Sequence, residues 1–276
     1  MKIKLDEQSG RYFPEESEIK KLERKDKIVE NSWKTHPEKF SGDMLSYQNW
    51  FDSCDSIKSC IAKGEIDFHN RILTNDLYKF VGDPRDKSAF DIGFGGGRLM
   101  LAASRVFKNV SGVDVLSDDA RTMTKKFLEE NGLENYRLYN PENINSIKDS
   151  SIDFVYSYIV FQHFSSIDYF HKYFSNIKRI LKPGGVGVIF FGLINDTANP
   201  NMKKIINEQG YIHWHDSFSN GCRGSTLYYS PEWIKSQIEN EYNMSVISMA
   251  RYAKQPWVDI KNLSSQFCAK FINNKE

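Results

Sequence analysis

Asp91-Ile92-Gly93-Phe94-Gly95-Gly96-Gly97-Arg98 is the stretch around which the whole chain organises. It follows the apolar run Ser88-Ala89-Phe90 and leads into Leu99, Leu101 and Val106 at helical spacing, which makes it a strand-to-helix turn built on glycine. A turn of this kind needs glycine because a Cβ would block positive φ angles and the close approach of a ligand to main-chain amides. Two ligand classes fit poorly. A dinucleotide fingerprint requires glycine three residues after Gly95, where this chain has Arg98, and there is no Walker A lysine.

Working outward, the runs 88–94, 109–115, 135–140, 151–159 and 184–192 are rich in β-branched and aromatic residues and are bounded by Gly, Asn, Pro or Ser, so they read as five strands. Amphipathic helices fill the gaps. One runs from Asp118 to Asn131, with Ala120, Met123, Phe127 and Leu128 on one face. Another opens at Ser165 and Asp168, carries Ile167, Phe170, Phe174, Ile177 and Leu181, and stops at Pro183-Gly184. A third begins at Ser230-Pro231-Glu232 and runs through Ile238, and 243–252 and 264–271 supply two more strands. The expected fold is α/β: a doubly wound, seven-stranded, mostly parallel sheet. Between Leu193 and Tyr229 no periodicity is evident, and a loop that long inside a compact domain is usually functional or disordered.

Ahead of the sheet, residues 1–82 are expected to form a helical cap. Residues 15–30 read as a solvated helix of mixed charge. Tyr47, Trp50, Phe51, Cys54, Ile57 and Ile61 keep helical spacing, as do Ile66, Leu73, Leu77, Phe80 and Val81, before Gly82-Asp83-Pro84 breaks the pattern. The domain division is therefore 1–82 and 83–276, with a substrate loop inserted at about 194–229. The aromatic stripe Tyr47, Trp50 and Phe51 is first a packing face, and a cap of this kind is also a way to keep water from a reacting centre.

With 276 residues, 40% apolar and 26% charged, the chain has the composition of a folded protein. Thirty-seven basic against thirty-six acidic residues leave no global field to draw it to nucleic acid or anionic lipid. No apolar run approaches the roughly 20 residues of a membrane helix, and the N-terminus has no signal-like stretch, so a cytoplasmic location is expected. The four cysteines, Cys54, Cys60, Cys222 and Cys268, are too sparse for a disulfide framework and read as reduced, packing thiols.

Asp114 closes the second strand, 23 positions after Asp91, where a carboxylate can accept both hydroxyl protons of a ribose. At this point the chain resembles the class I S-adenosylmethionine-dependent methyltransferases. Their first motif, an acid followed by Gly-x-Gly-x-Gly, is matched by Asp91, Gly93, Gly95 and Gly97, and Asp114, the strand with Asp153 and Leu181-Lys182-Pro183-Gly184-Gly185 follow in the family's order. The resemblance spans about residues 66–271. It implies S-adenosylmethionine as cofactor, with Gly93, Phe94, Gly95 and Gly97 against its methionine and ribose part, Asp114 and Val115 at the ribose, and Ser157 and Tyr158 flanking the sulfonium and the acceptor. The family usually has an acid after the third strand to meet the adenine amino group. Here Asn140 or Glu142 takes that place.

Methyl transfer from a sulfonium is an in-line displacement, so alignment is most of the enzyme's task, and a hydroxyl acceptor also needs a base. His163, just past the fourth strand, lies where ligands bind in parallel sheets and is the first candidate, the other reading being a histidine that packs or caps the next helix. His213, His215 and Asp216, in the long segment, suit a polar substrate loop walled by Tyr228 and Tyr229 better than a metal site, which would need further ligands. No metal is expected. The acceptor is expected to be a small polar molecule, methylated on oxygen, with a sugar or nucleotide sugar suiting a loop rich in His, Asn, Asp and Tyr. Nucleic acid and membrane partners are not expected, because the charge is balanced and Ser157-Tyr158-Ile159-Val160 lacks the Asn/Asp-Pro-Pro-aromatic signature of amino-methylating nucleic-acid enzymes. A catalytically silent methyltransferase-like binder and an N-methyltransferase stay open, as does the oligomeric state.

Overall fold

The computed structural model describes residues 3–6, 11–14, 33–40, 42–193, 200–213, 227–253 and 263–274. It begins with an antiparallel pair, β1 (Ile3–Asp6) and β2 (Arg11–Pro14), in which Ile3 faces Pro14 and Asp6 faces Arg11. This corrects the expectation that residues 1–82 are helical throughout. Ile3, Tyr12 and Phe13 have side chains that favour extended backbone, and four-residue strands are too short to show a period. The helix expected over 15–30 lies outside the described residues.

The helical part of the N-terminal region is built by its caps. Helix α1 (Met44–Asp52) starts at Asp43, whose carboxylate accepts the amides of Leu45 and Ser46, and stops at Ser53 in a left-handed conformation. Helix α2 (Ile57–Asp67) is opened by Ser56 and Ser59 in a reciprocal capping box. The following amphipathic pattern is not one helix. The Leu73 amide reaches back to the Phe68 carbonyl, a wider turn than α, before a short turn at Asn75–Leu77 and helix α3 (Tyr78–Val81). That change of phase leaves Ile66 59% exposed while Phe68, Ile72 and Leu77 are fully buried.

Cys54 and Cys60 are joined in a disulfide with Cα atoms 5.4 Å apart, which corrects their reading as free thiols. The tight α1–α2 turn folds Cys54 back onto the first turns of α2, a proximity that linear spacing does not reveal.

The sheet contains β3 (Ser88–Ile92), β4 (Asn109–Val113), β5 (Tyr136–Tyr139), β6 (Ile152–Ser157) and β7 (Leu181–Gly192), followed after a small pair, β8 (Tyr211–His213) and β9 (Leu227–Tyr229), by β10 (Met244–Ala253) and β11 (Leu263–Asn273). Its order is β10-β11-β7-β6-β3-β4-β5, with β3 to β7 parallel and β11 antiparallel to both neighbours. Because the chain steps outward from β3 to β5 and then returns to place β6 beside β3, a crevice opens beyond the carboxyl ends of β3 and β6. The expected seven-stranded, mostly parallel, doubly wound sheet is present.

Side chains alternate between two cores. Ala89, Phe154, Tyr156, Val188 and Phe190 face α4 (Arg98–Ser104), α5 (Asp118–Glu130) and the N-terminal helices, and Phe90, Ile92, Val155, Ile189 and Phe191 face α6 (Ile167–Ile180) and α8 (Pro231–Ser236). Tyr47, Phe68, Ile72 and Leu77 belong to the first core, so the N-terminal helices share the sheet's own apolar packing. Asp153 ties the lower edge by accepting the Ser88 amide at 2.9 Å and the Lys182 ammonium at 2.8 Å.

The segment expected to be an aperiodic loop contains α7 (Pro200–Gln209) and the β8–β9 pair. Each element is too short to stand out against its polar neighbours. Residues 194–199 and 214–226, including His215 and Asp216, lie outside the described residues.

Candidate active site

The carboxyl ends of β3, β4, β5 and β6 border a cleft of about 1230 Å³. The glycine loop forms its floor, with Gly93, Gly95 and Gly97 at φ of 82°, 50° and 88°. A Cβ on Gly95 would stand 3.0 Å from the Phe51 ring, and one on Gly93 would stand 2.2 Å from Val160. Glycine is therefore demanded both by the backbone and by two side chains that close on it.

Helix α1 holds this loop from above. Gln48 donates to the Gly96 carbonyl at 2.7 Å, and Thr124 of α5 donates to the Gly95 carbonyl at 2.7 Å while bonding the Tyr47 hydroxyl. The Gly95 amide donates to Oδ2 of Asp114 at 2.8 Å, and the amides of Val115 and Leu116 also reach that carboxylate. Burial raises the Asp114 carboxyl to about 6, against the opposing pull of those amides and of Arg121.

Arg98, the residue that spoils a dinucleotide fingerprint, is buried in an ion network. Its guanidinium meets Asp52 of α1 at 2.5 Å and Asp67 of α2 at 2.9 Å. Asp67 also meets Arg71, which donates to the Tyr158 hydroxyl at 2.7 Å. Burial works against the Arg98 charge, and Asp52 and Asp67 more than offset it. The network joins the glycine loop, two N-terminal helices and the turn after β6. Tyr158 is pushed up to about 12 by burial and by Asp67, against Arg71 and Arg98, so it remains a neutral phenol.

Tyr158, Ile159, Val160, His163, Phe164, Tyr169, Lys172 and Tyr173 line the far end. Ile159 has φ of 63°, a region that costs a β-branched residue of order 1–3 kcal/mol and marks functional turns. The His163 amide donates to the Val160 carbonyl at 2.8 Å, which closes a short turn and brings the imidazole to the cleft wall.

Of the residues expected at the site, Gly93, Phe94, Gly95, Asp114, Val115, Asn140, Glu142, Tyr158 and His163 line this one cleft. Four expected residues are placed elsewhere. Ser157 is fully buried, and its hydroxyl donates to the Ile92 carbonyl at 2.7 Å, pinning β6 to β3 behind the wall. Gly97 lies at the helix start against Thr124 and Leu128. Asp91 is buried beneath the loop, where burial, with the Asp114 charge adding and the Tyr156 hydroxyl opposing, holds its carboxyl well above the usual range. His213 sits in β8 opposite Leu227. Tyr229 is fully buried and donates to the Phe161 carbonyl, so it packs rather than walls a loop. Sequence reasoning missed Trp33, Asp52 and Arg98 as cleft residues. Only Arg98 had a signal, as the cation abutting the glycines. Among the described residues no group of three or more His, Cys, Asp or Glu is placed to hold a metal, and no helix is long and apolar enough to cross a membrane.

No curated protein sequence matches the chain. Many solved structures share its fold. A methyltransferase from Methanosarcina mazei superposes with a TM-score of 0.56 at 16% identity, over 74% of this chain and 99% of that one. The 1,6-didemethyltoxoflavin-N1-methyltransferase of Burkholderia thailandensis, solved with its acceptor and S-adenosylhomocysteine, gives 0.55 at 12% identity over 99% and 95%. Magnesium protoporphyrin IX methyltransferase from Synechocystis, with bound S-adenosylhomocysteine, gives 0.56 at 11% identity over 90% and 99%. Residues 90–189, from β3 through most of β7, match the model of the methyltransferase domain family. With the strand order and the glycine loop already in place, that match identifies residues 90–189 as a methyltransferase domain.

Proposed function

We propose that this enzyme methylates a small polar acceptor on a hydroxyl, with His163 as the base. The observation that carries the reading is that Asp114, the glycine loop, Tyr158 and His163 line one continuous cleft. The residues suit the methyl donor: Gly93 and Gly95 on the cleft floor, a buried carboxylate at Asp114 that keeps an acceptor position for a ribose hydroxyl beside its three amide donors, and Asn140 and Glu142 further along the same cleft. S-adenosylmethionine, held by Asp114 and the glycine loop, would supply the electrophilic methyl group for the acceptor oxygen.

Phe51, Asp52 and Trp33 cover the cleft from the N-terminal side and limit water. His163 takes the acceptor's hydroxyl proton through a ring nitrogen, and the Tyr158 phenol, held by Arg71, orients the acceptor. The balanced net charge favours a small molecule over nucleic acid. The domain division at residue 82 and the catalytic part of His213, His215 and Asp216 are further proposals that this reading does not need.

Formation of S-adenosylhomocysteine across a panel of hydroxylated sugars, nucleotide sugars and phenols tests it. His163→Ala is expected to lower turnover about 10²- to 10⁴-fold with S-adenosylmethionine affinity nearly unchanged. Turnover only with amine acceptors would replace the O-methyl reading. Retention of most of the activity by His163→Ala would move the base elsewhere.

A further inference from the structure

We propose that Trp33 is a positioning residue for methyl transfer: it closes the cleft and fixes the ring of His163. The second half of this statement rests on the reading of His163 as base, and the first half does not. Residues 33–36 span the cleft from lip to lip. On the β4–α5 side the Lys34 carbonyl accepts the Ser117 amide at 3.1 Å. On the β6–α6 side the Trp33 ring lies 4.8 Å from the His163 ring. Between them, Trp33 stands edge-on to Trp50 of α1 at 5.0 Å, and His36 stacks on the same indole at 5.9 Å. Trp33 and Lys34 both line the cleft, so this strap covers the space beside the glycine loop and the acceptor end.

The way Trp33 is held suits a latch. Among the described residues its buried Nε1–H finds no hydrogen-bond partner, and the indole packs its ring on Trp50 and His163. His163 gains as much from the contact. An imidazole has a broad, roughly two-fold freedom about its terminal torsion, and the indole against the ring limits it together with the Gln162 amide 3.3 Å from its Nε2. Misplacing a reacting group by about 1 Å can cost 10²-fold in rate, so an orienting ring affects catalysis without touching the acceptor's reacting atom.

Two variants and two probes that need no acceptor test the strap. In Trp33→Ala, S-adenosylhomocysteine is expected to dissociate about tenfold faster in stopped-flow displacement, the scale of a lost aromatic pair. Carbethoxylation of His163 by diethylpyrocarbonate, followed by peptide mass spectrometry, is expected to speed up by a similar factor as the ring is uncovered. Trp33→Phe should restore both, because it keeps a ring in that place, and thermal melting shows whether each variant is folded. Unchanged release and unchanged His163 modification in a folded Trp33→Ala protein would overturn the proposal. With an accepted hydroxyl compound, kcat should fall in Trp33→Ala more than KM rises and recover in Trp33→Phe. If His163→Ala keeps its turnover while the release and modification results hold, the base reading fails and the strap stands.

Discussion

The Gly95 amide donates to Oδ2 of Asp114 at 2.8 Å, so the turn after β3 and the acid at the end of β4 form one hydrogen-bonded unit. A change at either residue therefore reaches the other, and the cofactor cleft reports on both.

Cofactor affinity should depend on pH through Asp114. Its carboxyl is raised to about 6, chiefly by burial, and in the proposed role the ionised form is the one that accepts from ribose hydroxyls. Affinity is thus full above that pH and falls as the pH drops through it, by up to tenfold per unit. Asp114→Asn should flatten the profile, and Asp114→Ala should weaken binding by about 1.5–3 kcal/mol. Calorimetry at several pH values checks this, and a flat wild-type profile would count against the assignment.

Gly95→Val should abolish S-adenosylmethionine binding. A branched side chain is strained at φ of 50° and would press on Phe51, so the loop and α1 must part. Phe51→Ala in the same chain should relieve the clash without relieving the backbone, recovering stability only in part. Thermal melting of the single and double variants measures that difference.

Arg98→Ala should destabilise the fold by about 3 kcal/mol, because it removes the guanidinium that pairs the half-buried Asp52 and leaves the buried Asp67 with Arg71 alone. Arg98→Lys should rescue little, since one ammonium cannot serve both carboxylates in the guanidinium's fork geometry. Urea unfolding gives the cost, and a loss below about 1 kcal/mol would mean that the network is solvated like an ordinary surface cluster.

The Cys54–Cys60 bridge predicts that, under non-reducing denaturation, these two residues give no free thiol and Cys268 does. Reduction should cost about 2 kcal/mol, the chain-entropy value for so short a loop. Thiol titration paired with melting curves, with and without reductant, checks both parts. Free thiols at Cys54 and Cys60 without reductant would contradict the bridge.

The chain's linear order was enough for the glycine turn, the five parallel strands, the two late strands and the span of α5, whereas α6 is capped by Ser166 in place of Ser165 and ends at Ile180, with Leu181 and Pro183-Gly184 already in β7. What was legible follows from local chemistry: glycine where φ is positive, apolar alternation in strands, side-chain caps at helix ends, and fixed spacing within one βαβ unit. Elements too short to carry a period, β1, β2, β8 and β9, were not legible, and the phase change at Phe68–Ile72 broke a pattern that looked continuous. What only the tertiary structure decided is which side chains meet. Arg98 finds Asp52 across 46 residues of chain, Trp33 finds His163, Cys54 finds Cys60, and Ser157 turns its hydroxyl to Ile92 instead of the cleft. The Arg98 and Trp33 contacts depend on how the N-terminal segments dock onto the sheet, the Cys54 contact on the turn between α1 and α2, and the Ser157 contact on the pairing of β6 with β3, and no spacing in the sequence encodes these placements.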